Sequence, residues 1–456
     1  MFQKCDLIVI GAGPGGSTAA LEAAKFGMKT AVIEKSELGG TCLNRGCIPI
    51  KTLLHAADIY RKTKESEKFG IQVEKVTVNI PALLEYKEEV IKKLSGGIEM
   101  LFQKNKIDLF HGTGKIIASH QVAVNQNGEE KIIESERILI ASGSVTAIPP
   151  IPGIQLKNVV TSHELLNKKD GLYNHLLIIG GGVIGMEFAA LYSAFGSKVT
   201  VIETMNRVLP EMDREIGTNL KQILKKQGVD IHTSSSVEKL EQAEEGKLLC
   251  TYSEKEKLQQ VAADGVLVAT GRKPHIEGLF DEGFTVETQK GKILVDEYYK
   301  TSCPSVYAIG DVIGGVQLAH AASAEALCAV IQMIGKEEPV NIKVIPGCVY
   351  TNPEIAVVGI TGSEAKEAGL DVITKKYPMM GNGKSVLTMQ ERGFMKVVAD
   401  RETEKILGAQ LMCARATDII SEFTSAIVNG LTLSQMAHVI HPHPTFSEGV
   451  WELVRE

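Results

Sequence analysis

Two stretches of this chain follow one plan, and that duplication constrains the fold more than any other feature. The first is CDLIVIGAGPGGSTAALEAAKFGMKTAVIEK, residues 5–35; the second is HLLIIGGGVIGMEFAALYSAFGSKVTVIE, residues 175–203. Each reads as a short β-rich strand, a glycine turn, an alanine-rich helix closed by glycine, and a second strand ending in glutamate. Gly11, Gly13 and Gly16 carry the G-x-G-x-x-G spacing in the first, with Glu34 at the strand end. Gly180, Gly182 and Gly185 carry it in the second, with Glu203. The step from first glycine to acid is 23 residues both times (11 to 34 and 180 to 203). In such a unit the first glycine permits a tight turn and the second lets the backbone approach a pyrophosphate. The third packs helix on strand, while the helix N-terminus supplies partial positive charge. The terminal carboxylate suits a ribose diol and repels a 2′-phosphate. Two dinucleotide sites in one chain are therefore expected.

At 456 residues the chain exceeds one ordinary core, so two to four domains are expected. Both units end alike. ERILIASGS (136–144) and DGVLVATGR (264–272) are apolar strands entering small-residue turns, which adds Gly143 and Gly271 to the cofactor-binding candidates. A third such strand, SVYAIGD (305–311), ends in Gly310-Asp311 before a helix expected over 319–334. A carboxylate there points into the crevice where ligands of parallel sheets bind, making Asp311 a second contact to the first dinucleotide. The blander alternative is an exposed helix-cap aspartate.

The stretch 59–105 is charged and periodic, helical over 82–104, and reads as an excursion from the first unit. Prolines at 149, 150 and 152 mark one crossing between domains, and the segment 339–346 another. Beyond it, VYTNPEIAVVG, a hairpin turning at 401–405 and a helix over 416–428 suggest a strand-rich α+β domain. The fold class is α/β, with two Rossmann-like dinucleotide-binding domains plus a C-terminal α+β domain. The divisions are 1–147 for the first nucleotide, 148–271 for the second, 272–341 completing the first site, and 342–456.

Net charge is −6 with pI near 6.1, and no long basic block occurs, which argues against nucleic acid or an anionic membrane as partner. The uncharged run Leu7–Leu21 is fifteen residues, closed by Asp6 and Glu22. It falls short of the roughly 20 apolar residues of a membrane span, and no basic leader precedes it. A cytoplasmic protein is expected.

Of eight cysteines only Cys42 and Cys47 are close neighbours, in GGTCLNRGCIPIK (39–51). No second pair completes a four-cysteine metal site, so no metal is expected, and the other six read as buried or lightly exposed thiols. Four residues intervene between Cys42 and Cys47, so on one helix they would face different ways; a bridge needs a local break, which Gly46 can supply. Pro49 fits a helix's first turn and puts Cys47 near its N-terminus, where partial positive charge favours thiolate. The two sulfurs should be unequal, with Cys42 freer to attack an outside disulfide. A flavin can accept hydride and exchange an electron pair with a sulfur held against it. That favours FAD at the first site and NAD at the second.

These residues resemble the pyridine nucleotide-disulfide oxidoreductases over essentially the whole chain, and within them the branch that oxidises dihydrolipoyl groups. GAGPGG with Glu34 resembles the family's FAD fingerprint, GGTCLNRGCIP with Lys51 its redox-disulfide signature, GGGVIGMEFA with Glu203 its NAD site, YAIGD its second FAD motif and HPHPTFSE its C-terminal catalytic motif. The resemblance implies that Cys42 is the interchange thiol and Cys47 the flavin-facing sulfur. It further implies a Lys51–Glu187 ion pair beside the flavin, Asp311 on the ribityl or pyrophosphate region, and a homodimer whose interface is the C-terminal domain. Lipoyl-bearing proteins of a 2-oxo acid dehydrogenase or glycine cleavage complex would be its partners. Three positions depart from the family pattern, Ser17, Ile50 and Ala321 in LAHAA, and none removes a catalytic atom. Glutathione reductases share the cysteine spacing, but Glu203 opposes the 2′-phosphate of their NADPH.

Oxidising a dithiol also requires a base near neutrality, and His441 and His443 both qualify by type. Prolines 442 and 444 stiffen the segment, and Glu448 could fix a ring tautomer. A surface cluster or metal-binding pair is the local alternative. The resemblance selects His443 as base and Glu448 as its partner, working in the other subunit's active site opposite Cys42.

Overall fold

The computed structural model describes residues 3–126, 128–169, 171–336 and 340–455. Its first unit is built on β1 (Gln3–Ile10), α1 (Pro14–Lys25) and β2 (Thr30–Glu34). Leu7, Ile8 and Val9 are wholly buried, and all five residues of β2 are buried. That is the unbroken apolar run of a parallel strand covered on both faces. The chain then forms α2 (Gly40–Arg45), α3 (Cys47–Lys64) and α4 (Ile80–Lys104) before returning as β3 (Asp108–His111). The excursion's helix starts two residues before the expected 82, because Asn79 caps it by accepting a bond from Ala82 N. Lys87 of α4 is buried and donates to the Leu166 carbonyl at 2.7 Å, which fastens the excursion to the segment entering the second unit.

An antiparallel meander, β4 (Thr113–Ala118), β5 (Gln121–Gln126) and β6 (Glu129–Ile140), brings the chain back beside β1. The sheet order is β3-β2-β1-β6-β5-β4. The second unit has β7 (His175–Ile179), α5 (Val183–Ala194), β8 (Lys198–Glu203), β9 (Val229–Thr233) and β10 (Gly265–Val268). Its parallel order is β9-β8-β7-β10, with strand Val159–Thr161 outside β10. The chain then rejoins the first sheet: β11 (Val306–Ala308) pairs parallel with β6, and α6 (Ala319–Met333) packs on α1. Small residues permit that contact, since a Cβ on Gly15 would already lie 3.2 Å from the Ala322 carbonyl.

The last unit is an antiparallel sheet of β12 (Gly347–Val349), β13 (Glu354–Gly359), β14 (Val372–Pro378), β15 (Phe394–Asp400) and β16 (Ile406–Cys413), in the order β12-β13-β16-β15-β14. The expected hairpin joins β15 and β16, and α7 (Ala416–Val428) and α8 (Glu448–Arg455) cover the sheet. Of the expected boundary 339–346, residue 339 lies outside the described residues. One apolar core joins the units: Ile50 and Leu53 of α3 meet Leu176, Met186 and Phe188 of the second unit and Val349, Ile355 and Phe394 of the third. Among the described residues no helix is long and apolar enough to cross a membrane.

Candidate active site

Both glycine turns open onto one continuous cleft of about 1280 Å³. Gly11 and Gly180 take φ of +101° and +112°, and a Cβ on either would lie within 2.5 Å of a carbonyl oxygen, that of Ala141 or Ala269. Gly16 and Gly185 pass so close to Gly11 and Gly180 that a Cβ would sit 1.8 and 2.0 Å from their oxygens. A Cβ on Gly13 or Gly182 would meet nothing within 4 Å; each caps its helix without a side chain and leaves the first turns of α1 and α5 lining the cleft. Backbone crowded at the first and third glycines and open at the second is the cradle a dinucleotide diphosphate requires. The residues therefore fit a dinucleotide at each turn, as a family that uses FAD and NAD requires.

The strand-end acids are already at work within their own turns. Glu34 accepts from Ala12 N at 2.7 Å and Ser36 N at 2.8 Å; Glu203 accepts from Gly181 N at 2.5 Å and Met205 N at 2.6 Å. Both are buried. A carboxylate offers about four lone-pair sites, so capacity for a ribose diol remains. Arg207, the nearby cation that could offset Glu203, donates to the Pro210 carbonyl at 2.6 Å instead.

The cysteine segment is locked under the first turn. Gly39 N donates to Ala12 O at 2.8 Å, and Gly40 comes so close to Gly13 that a Cβ would sit 2.7 Å from its Cα. Gly46 interrupts the helix between α2 and α3 as expected, and α3 begins at Cys47. Cys47, beside the Cys42 thiol and the Lys51 charge, is held below the usual thiol range, at about 7, despite its burial. The neighbouring Cys47 and burial push the Cys42 thiol far up, so it stays protonated.

Lys51 lies one turn beyond Cys47 on α3 and places Nζ 2.9 and 2.8 Å from the two carboxylate oxygens of Glu187. Glu187 is buried, so removing Lys51 alone would strand a buried charge, a loss on the order of 3–5 kcal/mol. Asp311 accepts from the Ser144 hydroxyl and faces Arg272 Nε at 4.0 Å; Arg272 also donates to Ser144 Oγ (2.7 Å) and Ser144 O (2.6 Å). Gly143 and Gly271 line the cleft beside this cluster. Ser144 and Arg272 stand in the runs ERILIASGS and DGVLVATGR, but no spacing rule pairs them across 128 residues. Among the departures, Ser17 is buried and donates to Ala12 O at 2.8 Å, and Ile50 and Ala321 are buried.

His443 and Glu448 lie outside the cleft of their own chain. His443 is 77% exposed, with Nδ1 2.8 Å from Glu448 Oε1. Partial burial of Glu448 is outweighed by bonds from Thr445 N and His443, which hold its carboxyl below the usual range. His441 is different: its side chain is only 6% exposed, Nε2 faces Glu422 Oε1 at 2.9 Å and Nδ1 faces Val439 O at 3.2 Å. Among the described residues no group of His, Cys, Asp and Glu could hold a metal ion.

A family model described as pyridine nucleotide-disulphide oxidoreductase matches residues 5–326, and that family's dimerisation domain matches residues 345–454. The chain is 39% identical over 465 residues to a dihydrolipoyl dehydrogenase of Bacillus subtilis (strain 168), covering 99% of this chain and 98% of that one. It is 38% identical to the mitochondrial dihydrolipoyl dehydrogenase of Pisum sativum, covering 98% and 90%. Among solved structures, the HOCl-induced flavoprotein disulfide reductase RclA from Escherichia coli superposes with a TM-score of 0.88 at 32% identity, and LpdA from Mycobacterium tuberculosis with 0.92 at 25%. Each of those two alignments covers 99% of both chains.

Proposed function

The chain belongs to the pyridine nucleotide-disulphide oxidoreductase family, and from that premise we propose that it oxidises protein-bound dihydrolipoyl groups and reduces NAD. The observation that carries the reading is the Cys42–Cys47 pair, set on either side of the Gly46 break, in a cleft shared by two dinucleotide cradles. In the oxidised enzyme the pair is a disulfide. A substrate thiolate attacks Cys42 Sγ, the Cys42–Cys47 bond breaks, and Cys47 leaves as thiolate. Its low pKa makes it the better leaving group. The second substrate thiolate attacks the substrate sulfur of the mixed disulfide, expelling Cys42, which takes a proton. The substrate is now a disulfide and the cysteine pair holds its two electrons.

FAD, when bound, would supply a two-electron acceptor between the Cys47 thiolate and NAD, so that the pair could re-form its disulfide while the electron pair and the Cys42 proton leave as the equivalent of hydride. Gly11, Gly13, Gly16, Glu34, Gly143 and Asp311 would hold it, with Lys51 and Glu187 beside its ring; Gly180, Gly182, Gly185, Glu203 and Gly271 would hold NAD. The pairing of β11 with β6 supports assigning 272–341 to completion of the FAD unit. The dimerisation-domain match supports a homodimer, in which an exposed His443 can serve the partner's Cys42.

The test is turnover of NAD with dihydrolipoamide against NADPH with glutathione disulfide in one preparation. The first should dominate, and the reverse order would reject the reading. At the cofactor level, NADH should reduce the flavin far faster than NADPH in stopped-flow, because Glu203 is fixed by Gly181 and Met205 and Arg207 is engaged by the Pro210 carbonyl. Glu203→Gln should narrow that gap; equal rate constants in the parent protein would discard the assignment.

A further inference from the structure

We propose that Tyr350 is a positioning residue for the redox centre, its ring face and backbone N–H holding the Lys51–Glu187 pair so that the ammonium stays beside Cys47. This rests on the reading of Cys47 as the reactive thiolate. Three units meet at this point: Lys51 on α3 of the first, Glu187 on α5 of the second, and Tyr350 directly after β12 of the third. Lys51 Nζ lies 4.8 Å from the centroid of the Tyr350 ring, within the range of a cation–π contact. Tyr350 N donates to Glu187 Oε1 at 3.1 Å, so one carboxylate takes the Lys51 ammonium and the Tyr350 backbone together.

The segment is fastened on both sides of the tyrosine. Val349 sits in the shared apolar core with Ile50 and Leu53 of α3. With its amide turned so that both ends are satisfied, Asn352 Oδ1 accepts from Arg61 Nη1 of α3 at 3.0 Å. Arg61 is ten residues beyond Lys51 on the same helix. The third unit thus runs a strap along α3, and the ring is the part of it that meets the charge. Cys47 and Lys51 are four apart on that helix, so the position of the ammonium bears directly on the sulfur. Burial pushes the Tyr350 phenol up to about 12, so it stays neutral at working pH and offers Lys51 a ring face rather than a proton or a charge.

The test uses flavin-replete Cys42→Ser protein, in which Cys47 is the only thiol of the pair. Alkylation of Cys47 by iodoacetamide is followed against pH and mapped to that residue by peptide mass. Adding Tyr350→Leu should move the midpoint upward and slow the reaction at pH 7 by about two- to tenfold, the range expected for losing an aromatic face from a part-buried cation. Adding Tyr350→Phe, which keeps the face, should restore the profile. If Y350L does not retain its flavin, Y350M is read in its place, since it fills the volume without a ring. A Y350L profile that superposes on the parent, or a Y350F profile displaced as far as Y350L, would overturn the proposal. Failure of the enzyme with both cysteines intact to oxidise dihydrolipoamide, with the Tyr350 dependence of the Cys42→Ser series intact, would instead sink the functional reading and leave this one standing.

Discussion

Replacing Cys47 by serine should abolish dithiol oxidation and the long-wavelength absorbance that a thiolate against oxidised flavin produces, while Cys42→Ser should abolish the first and keep the second. Both variants lose the covalent relay, so turnover should fall on the order of 10⁴-fold or more. Absorbance separates them because the charge resides on one sulfur. Cys47 begins α3, takes a bond from Cys42 and sits one turn from Lys51, which together bring it to about 7 despite burial. In Cys42→Ser the hydroxyl can still donate to that thiolate, so the band should grow as pH rises through about 7 and fade below it. Cys42→Ala removes the donor, and its midpoint should move upward. The check is a pH titration of the oxidised-flavin spectrum in each variant. The same band in C42S and C47S would show that the asymmetry is misassigned.

The parts that were legible in the sequence are those set by short spacings. Two glycine turns, each with an apolar strand before it, an alanine-rich run after it and an acid 23 residues on, point to a strand, a helix and a strand, because each glycine has its own task in that unit. Pro49 fixed where α3 could begin and Gly46 where α2 must end, which placed Cys42 and Cys47 on either side of a break. What spacing could not reveal is the set of contacts closed by tertiary folding. Arg272 reaches back to Ser144, and Tyr350 reaches Glu187 across 163 residues. Asp213, at the cap of the helix Arg214–Lys226, meets Lys396 of the C-terminal sheet at 2.9 Å. No periodicity encodes such pairs; they follow from which faces the shared core brings together. The strand-end acids teach a related lesson: the residue types were readable, but their first partners are the N–H groups of their own turns.

His443→Ala should retain FAD and pass electrons from NADH to an artificial acceptor at nearly the parent rate, yet lose dihydrolipoamide oxidation by 10²- to 10⁴-fold. The neighbouring Cys47 and burial hold the Cys42 thiol protonated. A dithiol substrate arrives protonated as well, so proton removal belongs to the thiol half of the reaction and to no step between NADH and an acceptor. His443 is equipped for it. Nδ1 is committed to Glu448 Oε1, leaving Nε2 to face outward from a largely exposed ring. Glu448 is itself oriented by Thr445 N at 2.8 Å, and with its carboxyl below the usual range it stays ionised wherever the ring titrates. It can therefore fix the tautomer and stabilise the imidazolium that proton transfer creates. Glu448→Ala should impair the same half-reaction less severely, because the ring remains but loses its orientation. His441 cannot substitute for His443: both its nitrogens face acceptors within the fold, Glu422 on one side and Val439 on the other, and its side chain is nearly buried. The measurement is a pair of steady-state assays on flavin-replete protein, dihydrolipoamide with NAD and NADH with an artificial acceptor. A selective loss in the first identifies the base. Near-parent dithiol turnover in H443A would eliminate it, and equal losses in both assays would mean that the substitution damages the flavin site rather than proton transfer.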